Sequence, residues 1–104
     1  MGPANNPVIV ASFEIPNELA TELSNLLTKQ VIKERLLLQL LDDREKYNQV
    51  ENDLVPITAR VEAIKLKITK EYVPEEYSSS RYSWSYDGYE VAGNMVYILD
   101  HDPQ

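Results

Sequence analysis

The feature that most constrains this chain is a heptad repeat of apolar residues in its centre. Apolar side chains recur there at spacings of 3, 4, 3, 4, 3 and 4, at Tyr47, Val50, Leu54, Ile57, Val61, Ile64 and Ile68. This repeat gives an α-helix one apolar stripe, and a period near 3.5 residues suits packing along another helix. The sequence therefore predicts a long amphipathic helix over residues 43–72, paired with a second helix.

Pro56 lies inside this predicted helix. An internal proline removes one backbone hydrogen bond and costs about 3 kcal/mol, so it kinks or breaks a helix. The heptad phase passes through Pro56 without a shift, which favours a kinked single helix over two segments, although both stay open. Asp43 is a suitable N-cap. Val73 precedes Pro74 and is disfavoured in the helical region, so we expect the helix to end near residue 72.

The partner helix is predicted over residues 16–41. Pro16 and Glu18 suit a first helical turn, and leucines follow at helical spacing, at Leu19, Leu23, Leu26 and Leu27. In the run LLLQLL at residues 36–41, five of six residues are leucine. One stripe cannot hold that many, so we expect this segment to be buried on more than one side.

Strands are predicted at both ends of the chain. Residues 7–15 are rich in β-branched and aromatic side chains and read as a strand. After the serines at 78–80, Tyr82, Trp84 and Tyr86 alternate with Ser83 and Ser85, which is a strand pattern.

Two turn signals complete this C-terminal region. Asp87-Gly88 is a favoured hairpin dipeptide, Ala92-Gly93-Asn94 offers a second turn, and MVYIL at 95–99 gives a third strand. Residues 82–99 are thus predicted to form a β-meander, which strand 7–15 could join.

The predicted fold class is mainly α, of the α+β type. It is a long helical hairpin with a small antiparallel β element from the C-terminal region and a possible contribution from the N-terminal strand. At 104 residues the chain fits one domain. We expect residues 1–6 to be a disordered arm and residues 100–104 to be a tail.

The residue inventory argues against catalysis. The chain has no cysteine, three glycines and one histidine, His101, three residues from its end. The sequence therefore lacks the residues for thiolate chemistry and for cysteine-ligated zinc. It also offers no glycine-rich phosphate loop and no plausible Ser-His-Asp set. We expect no catalytic residues, no cofactor and no metal, and so no enzyme activity.

The charge distribution separates the ends from the centre. Residues 28–72 carry nine Lys/Arg and eight Asp/Glu, whereas the rest carries one Arg and nine Asp/Glu. No basic patch suggests nucleic-acid binding. The acidic ends serve either solubility or a basic partner.

The longest apolar run is too short to cross a membrane, and residues 1–12 lack a signal-peptide pattern. We therefore expect a cytoplasmic protein.

The central and C-terminal residues carry a resemblance to a known group of proteins. The run LLTKQVIKERLL…LLDDREKYNQVENDLVPITARVEAIKLKITKEYVPEEYSSSRYSWSYDGYEV is similar to small helical proteins encoded beside radical-SAM peptide-modifying enzymes, including the splicease type that excises tyramine from a peptide backbone. The similarity covers most of residues 17–91 and contains no catalytic motif. It implies an accessory protein that helps the enzyme act, in the biosynthesis of ribosomally made, modified peptides (RiPPs), and it assigns no residue-level role.

These observations predict a non-catalytic protein-interaction module, most simply an accessory or adaptor of a larger, peptide-modifying enzyme. Its partner would be that enzyme or its peptide substrate. The alternative is a standalone acidic regulator or inhibitor that binds a host or toxin protein.

Two sets of residues are candidates for the contact. Leucines at 36–41 would either pair two hairpins into a homodimer or receive another protein, through Leu36, Leu37, Leu40 and Leu41. The aromatic residues Tyr82, Trp84, Tyr86 and Tyr89 are either a binding surface or core packing.

Overall fold

The computed structural model describes residues 7–78 and 82–101 of the chain. It confirms a mainly α, α+β fold in which a helical hairpin carries a small antiparallel sheet. In chain order the elements are β1 (Val8–Glu14), α1 (Asn17–Gln39), α2 (Arg44–Glu71), β2 (Tyr89–Ala92) and β3 (Met95–Asp100). The predicted arm at 1–6, the serines at 79–80 and residues 102–104 of the predicted tail lie outside the described residues.

α2 is one continuous helix through Pro56. At its start, the Asp43 side chain accepts a hydrogen bond from the Lys46 backbone N–H at 3.2 Å. Pro56 is exposed, and so is Asn52, whose carbonyl would have bonded the missing N–H. Water can therefore satisfy that carbonyl, so the helix tolerates the proline without a break.

The heptad stripe of α2 faces inward, as the sequence predicts. Four of its seven members are buried and the other three are half-buried. The most deeply buried members, Val61, Ile64 and Ile68, lie toward the C-terminal end of α2, where the sheet adds a third layer. We call residues 17–27 and 57–71 the proximal half of the hairpin, and residues 28–56 the distal half, which consists of two helices alone.

The sheet has the order β1-β3-β2, and both of its pairings are antiparallel. Alternate residues of the central strand, Val96, Ile98 and Asp100, are buried. Phe13 pairs with Val96 and Tyr89 with Ile98. The core between sheet and helices joins β1, α1, α2, β2 and β3 and includes Ile15, Leu19, Leu23, Val61, Ile64, Ile68, Val96 and Ile98. The N-terminal strand therefore belongs to the sheet, and β3 runs one residue further than predicted.

The predicted first strand of the meander is wrong. Trp84–Tyr86 forms a short 3-10 turn, and the Ser83 hydroxyl accepts a hydrogen bond from the Tyr86 N–H at 3.3 Å. Asp87 then adopts a left-handed conformation with φ of 55° and ends the turn. Serine side chains compete for backbone groups in this way, so the alternation of serines with aromatics encodes a capped turn rather than a strand.

The two predicted turns have different outcomes. Asp87-Gly88 does not connect two paired strands, because residues 82–86, directly before it, form no strand. The second turn is confirmed: Ala92 pairs with Met95 across Gly93 and Asn94. Gly93 has φ of 59° and Asn94 has no positive φ, the pattern of a type II′ hairpin turn.

Candidate functional site

The leucine run at the end of α1 points in several directions, but the expected burial on more than one side is wrong for the chain by itself. Leu37 and Leu40 are half-buried, while Leu36 and Leu41 are exposed to 37% and 69%. Leu38, which sequence reasoning did not select, is the most exposed leucine of the run at 71%. The helical phase of α1 could have identified it, because Leu37 and Leu40 continue the stripe toward α2 and Leu38 falls outside that stripe.

Other large apolar side chains are exposed beside these leucines in the distal half and the turn that follows α1. We call the whole set the distal patch, which consists of Val31, Ile32, Leu36, Leu38, Leu41 and Val55. Together these side chains leave on the order of 600 Å² of apolar surface in water, divided between more than one side of the hairpin. The sheet lies over the proximal half, so the fold offers no third layer for them.

An open groove of about 860 Å³ runs along α1 at the border between the halves. Its floor includes Ala20, Leu27 and Val31, and the turn at Gly93-Asn94 contributes to its wall. Among the described residues that line it, Arg35 is the one charged side chain. The described residues that line the groove are therefore a mixture of apolar and uncharged polar side chains, such as Thr21, Ser24 and Thr28, without a carboxylate.

Three of the four candidate aromatic residues pack onto the fold. The ring centroids of Trp84 and Tyr89 lie 5.0 Å apart, and those of Tyr77 and Tyr82 lie 5.7 Å apart. Lys65 Nζ lies 5.3 Å from the Trp84 ring centroid. Tyr86 alone of the four is exposed, at 71%. These contacts favour the packing interpretation for Tyr82, Trp84 and Tyr89.

The Tyr89 hydroxyl ties the C-terminal segment together. It lies within hydrogen-bond reach of the backbone carbonyls of Tyr77 and Tyr82, the latter at 3.1 Å. Burial raises the pKa of Tyr89 because it penalises the phenolate. The hydroxyl therefore stays protonated. Its single hydrogen is shared between two carbonyls, one before and one after residues 78–81.

The structure keeps the leucines and the aromatics apart. The aromatics cover the proximal half beside Lys65, whereas the leucines lie at the turn that precedes Arg44. This separation is about 30 Å along α2 at 1.5 Å per residue. The two predicted sets do not form one site.

Polar contacts join the two helices on their exposed edges. The Arg60 guanidinium donates two hydrogen bonds to the Glu22 carboxylate, at 2.6 and 2.9 Å. The hydrogen bond from Arg60 lowers the pKa of Glu22, and the same pairing raises the pKa of Arg60. Lys33 Nζ lies 3.7 Å from an Asp53 carboxylate oxygen. These contacts fix the alignment of α1 on α2.

Residues 7–78 and 82–101 contain no group of three acidic or histidine side chains placed to hold a metal ion. Over the same residues, neither helix has the length and apolar character that a membrane crossing requires. Comparison with protein-family models, curated proteins and solved structures finds no match for the chain. The distal patch and the groove are thus the features on which a functional proposal can be built.

Proposed function

We propose that this chain is a non-catalytic protein-interaction module that serves as an accessory subunit of a larger enzyme in the cytoplasm. The observation that carries the proposal is the distal patch. Its side chains lie on more than one side of the two-helix layer. Leu36 and Leu38, for example, are two steps of 100° apart around α1, which is about 160° measured the shorter way. One partner surface cannot cover both sides, so the distal half suits insertion into a larger assembly.

The energetics of the patch favour a partner. Complete burial of about 600 Å² of apolar surface at about 25 cal/mol per Å² would be worth on the order of 15 kcal/mol before the costs of association, and a partner on one side of α1 would obtain only part of it. Those costs include lost rigid-body freedom and ordered side chains, and they leave room for a stable complex. The six side chains of the distal patch are apolar, so their burial would contribute through the hydrophobic effect.

The resemblance to accessory proteins of radical-SAM peptide-modifying systems supplies the class of partner. It points to a peptide-modifying enzyme or to that enzyme's peptide substrate. A subunit that binds either one would raise the yield of modified peptide without contributing a reacting group. This role agrees with a residue inventory that lacks cysteine and has one histidine.

The proposal expects a radical-SAM enzyme and a precursor peptide to be encoded beside the gene, and the test is co-expression of the chain with both. We expect the chain to co-purify with one of them and to increase the modified peptide measured by mass spectrometry. Leu36→Lys should weaken that complex, because it places a charge in an apolar contact. The matched control is Ala59→Lys, which adds the same charge to an exposed site of α2 outside the distal patch.

Two outcomes would contradict the proposal. The first is an equal yield of modified peptide with and without the chain, together with no co-purification. The second is binding that lowers the yield, which would establish the alternative role of an acidic regulator.

A further inference from the structure

β1 lies at an edge of the sheet, whose strand order among the described residues is β1-β3-β2. It has seven residues, whereas β2, at the opposite edge, has four. The outer side of an edge strand carries a row of backbone N–H and C=O groups that its own sheet does not pair. β1 therefore offers the longer template for a further strand.

A hydrogen bond at the end of β1 shows which of its backbone groups are unpaired. The Ile15 N–H donates to the Asn94 carbonyl at 2.8 Å, so these two residues form a hydrogen-bonded pair in the register of β1 on β3. In an antiparallel ladder such pairs alternate with pairs whose backbone groups point away. Phe13 therefore also bonds to β3, whereas the N–H and C=O groups of Ser12 and Glu14 point to the free side.

The pairing of β2 on β3 gives the same result independently. The Leu99 N–H donates to the Gly88 carbonyl at 2.9 Å, so Leu99 and, by alternation, Tyr97 direct their backbone groups to β2. Tyr97 lies opposite Ser12, so β3 has no group left for Ser12. Ser12 and Glu14 are exposed, and no element within residues 7–78 and 82–101 bonds to their outward backbone groups.

The side chains of β1 add an apolar surface beside these groups. Val8, Ile9 and Val10 are exposed to 46%, 58% and 39%. The strand contains no lysine and no proline, which often block pairing at a sheet edge. A β-bulge between Ile9 and Ala11 interrupts the ladder. Regular pairing with a further strand is therefore limited to the part from Ala11 to Glu14, and the part before it offers apolar contacts.

The charge around the free edge is negative. Glu14 is an exposed residue of β1 itself. The ring centroids of Phe13 and Tyr77 lie 5.8 Å apart, and Glu75 and Glu76, which directly precede Tyr77, are exposed. This packing brings two further carboxylates near β1.

The segments that form the sheet and the segment that packs on it share this charge. Residues 7–28, 73–78 and 82–101 contain eight Asp/Glu and no Lys or Arg, and the Lys and Arg of the described residues lie on α1 and α2. Opposite charges across a strand pair stabilise it, whereas like charges destabilise it. A second copy of this chain would bring the same acidic edge and a net charge of −7. Charge complementarity therefore selects a basic strand from another protein.

We propose that the free edge of β1 binds an extended, basic segment of another protein, which joins the sheet as a fourth strand. Ser12 and Glu14 lie about 7 Å apart, the repeat of a strand, so the segment can bond to both N–H and both C=O groups. Its Lys or Arg side chains lie beside Glu14, Glu75 and Glu76, and its apolar side chains cover residues 8–10.

This inference goes beyond the proposed function and does not rest on it. The distal patch belongs to the part of the hairpin that has no sheet, whereas β1 is part of the sheet. A variant that blocks the edge should leave enzyme binding unchanged, and Leu36→Lys should leave strand binding unchanged. The failure of either proposal is therefore distinguishable from the failure of the other.

The first test is a titration of the full, isotope-labelled chain with a synthetic peptide, Lys-Val-Thr-Val-Thr-Val-Lys with blocked ends, followed by NMR and amide hydrogen exchange. The matched probe has Glu in place of both Lys. We expect the basic peptide to bind and to protect the Ser12 and Glu14 N–H groups from exchange, and the acidic peptide to do neither. Equal binding of the two peptides, or no binding of the basic peptide up to about 1 mM, would overturn the proposal.

The second test uses variants of the edge. Ser12→Pro removes an outward N–H, and a proline is tolerated on an edge strand where its missing N–H would face solvent, so circular dichroism should stay unchanged. We expect Ser12→Pro to weaken binding of the basic peptide at least about tenfold, whereas Ser12→Ala, which keeps the N–H, should bind as wild type does. Unchanged binding by Ser12→Pro would refute the proposed edge.

A charge variant tests the proposal without a change to the strand. Glu76→Lys should weaken binding of the basic peptide, whereas Glu51→Lys, the same change at an exposed site of α2, should not; an equal effect of the two would contradict the local role of the carboxylates. Sedimentation velocity of the chain alone tests the rival occupant. A wild-type dimer that Ser12→Pro abolishes would assign the edge to a second copy and overturn the proposal.

Discussion

Gly88 gives the sharpest test of the C-terminal segment. The Asp87-Gly88 dipeptide suggests that a hairpin turn requires this glycine, whereas in the structure its close packing on the backbone of residues 82–83 requires it. Its N–H donates a hydrogen bond to the Ser83 carbonyl at 2.7 Å. A Cβ atom at Gly88 would lie 2.7 Å from the Ser83 backbone nitrogen and 3.0 Å from Tyr82 Cα. These neighbours are backbone atoms, so they cannot rotate away.

We expect Gly88→Ala to destabilise the fold by about 1–2 kcal/mol. Forcing an extra methyl into a packed site costs roughly 1–3 kcal/mol. The loss of glycine's freedom in the unfolded chain returns about 0.4–1 kcal/mol. For a domain of this size the net change corresponds to a fall in Tm of about 5–15 °C.

Thermal unfolding followed by circular dichroism measures this change. Ser85→Ala is the control, because it alters an exposed residue of the same turn and should shift stability by less than about 0.5 kcal/mol. The emission of the single tryptophan, Trp84, reports locally on displacement of the turn. If Gly88→Ala melts within about 2 °C of wild type, the close packing of Gly88 on residues 82–83 is wrong.

Two further predictions concern single side-chain groups. Tyr89→Phe removes the donor that serves the Tyr77 and Tyr82 carbonyls and should cost about 1 kcal/mol in chemical unfolding; an unchanged midpoint would show that water replaces it. The pKa of Glu22 in the folded protein lies below its ordinary value of 4.5. The ion pair with Arg60 therefore stabilises the fold fully at pH values above 4.5. This stabilisation is lost as pH falls through the lowered pKa. Wild type should therefore melt at a higher temperature than Glu22→Gln at neutral pH, and this difference should shrink as pH falls below 4.5; a difference that does not depend on pH would contradict this linkage.

The helices could be predicted because their signals are local. The stripe from Tyr47 to Ile68 repeats over three heptads, and its unbroken phase favoured a single helix at Pro56, where the structure has α2 continuous. The sheet was harder, since the partner of β1 lies near the other end of the chain and no local pattern reports that pairing. The prediction of a strand over residues 82–86 was wrong because alternation of serine and aromatic residues occurs both in strands and in serine-capped turns.

The candidate contact residues could be predicted only in part. Five leucines within six residues indicate more than one apolar side, but not which of them contact α2. Leu37 and Leu40 are half-buried, whereas Leu36, Leu38 and Leu41 are exposed. To separate them requires knowledge of which side of α1 meets α2, and of where α1 ends, which the structure provides.

The position of β3 between β1 and β2 has a consequence for the order of folding. Val8 pairs with Asp100 and Glu14 with Met95, so the sheet joins residues about 80–90 positions apart, and closing such a loop is slow. The helical hairpin forms between neighbours in the chain and can assemble as soon as α2 has been synthesised. Until β3 emerges from the ribosome, neither β1 nor β2 has a strand to pair with, and the apolar side of the proximal half stays uncovered. A nascent chain of this protein therefore depends on β3 to complete both this sheet and the core beneath it.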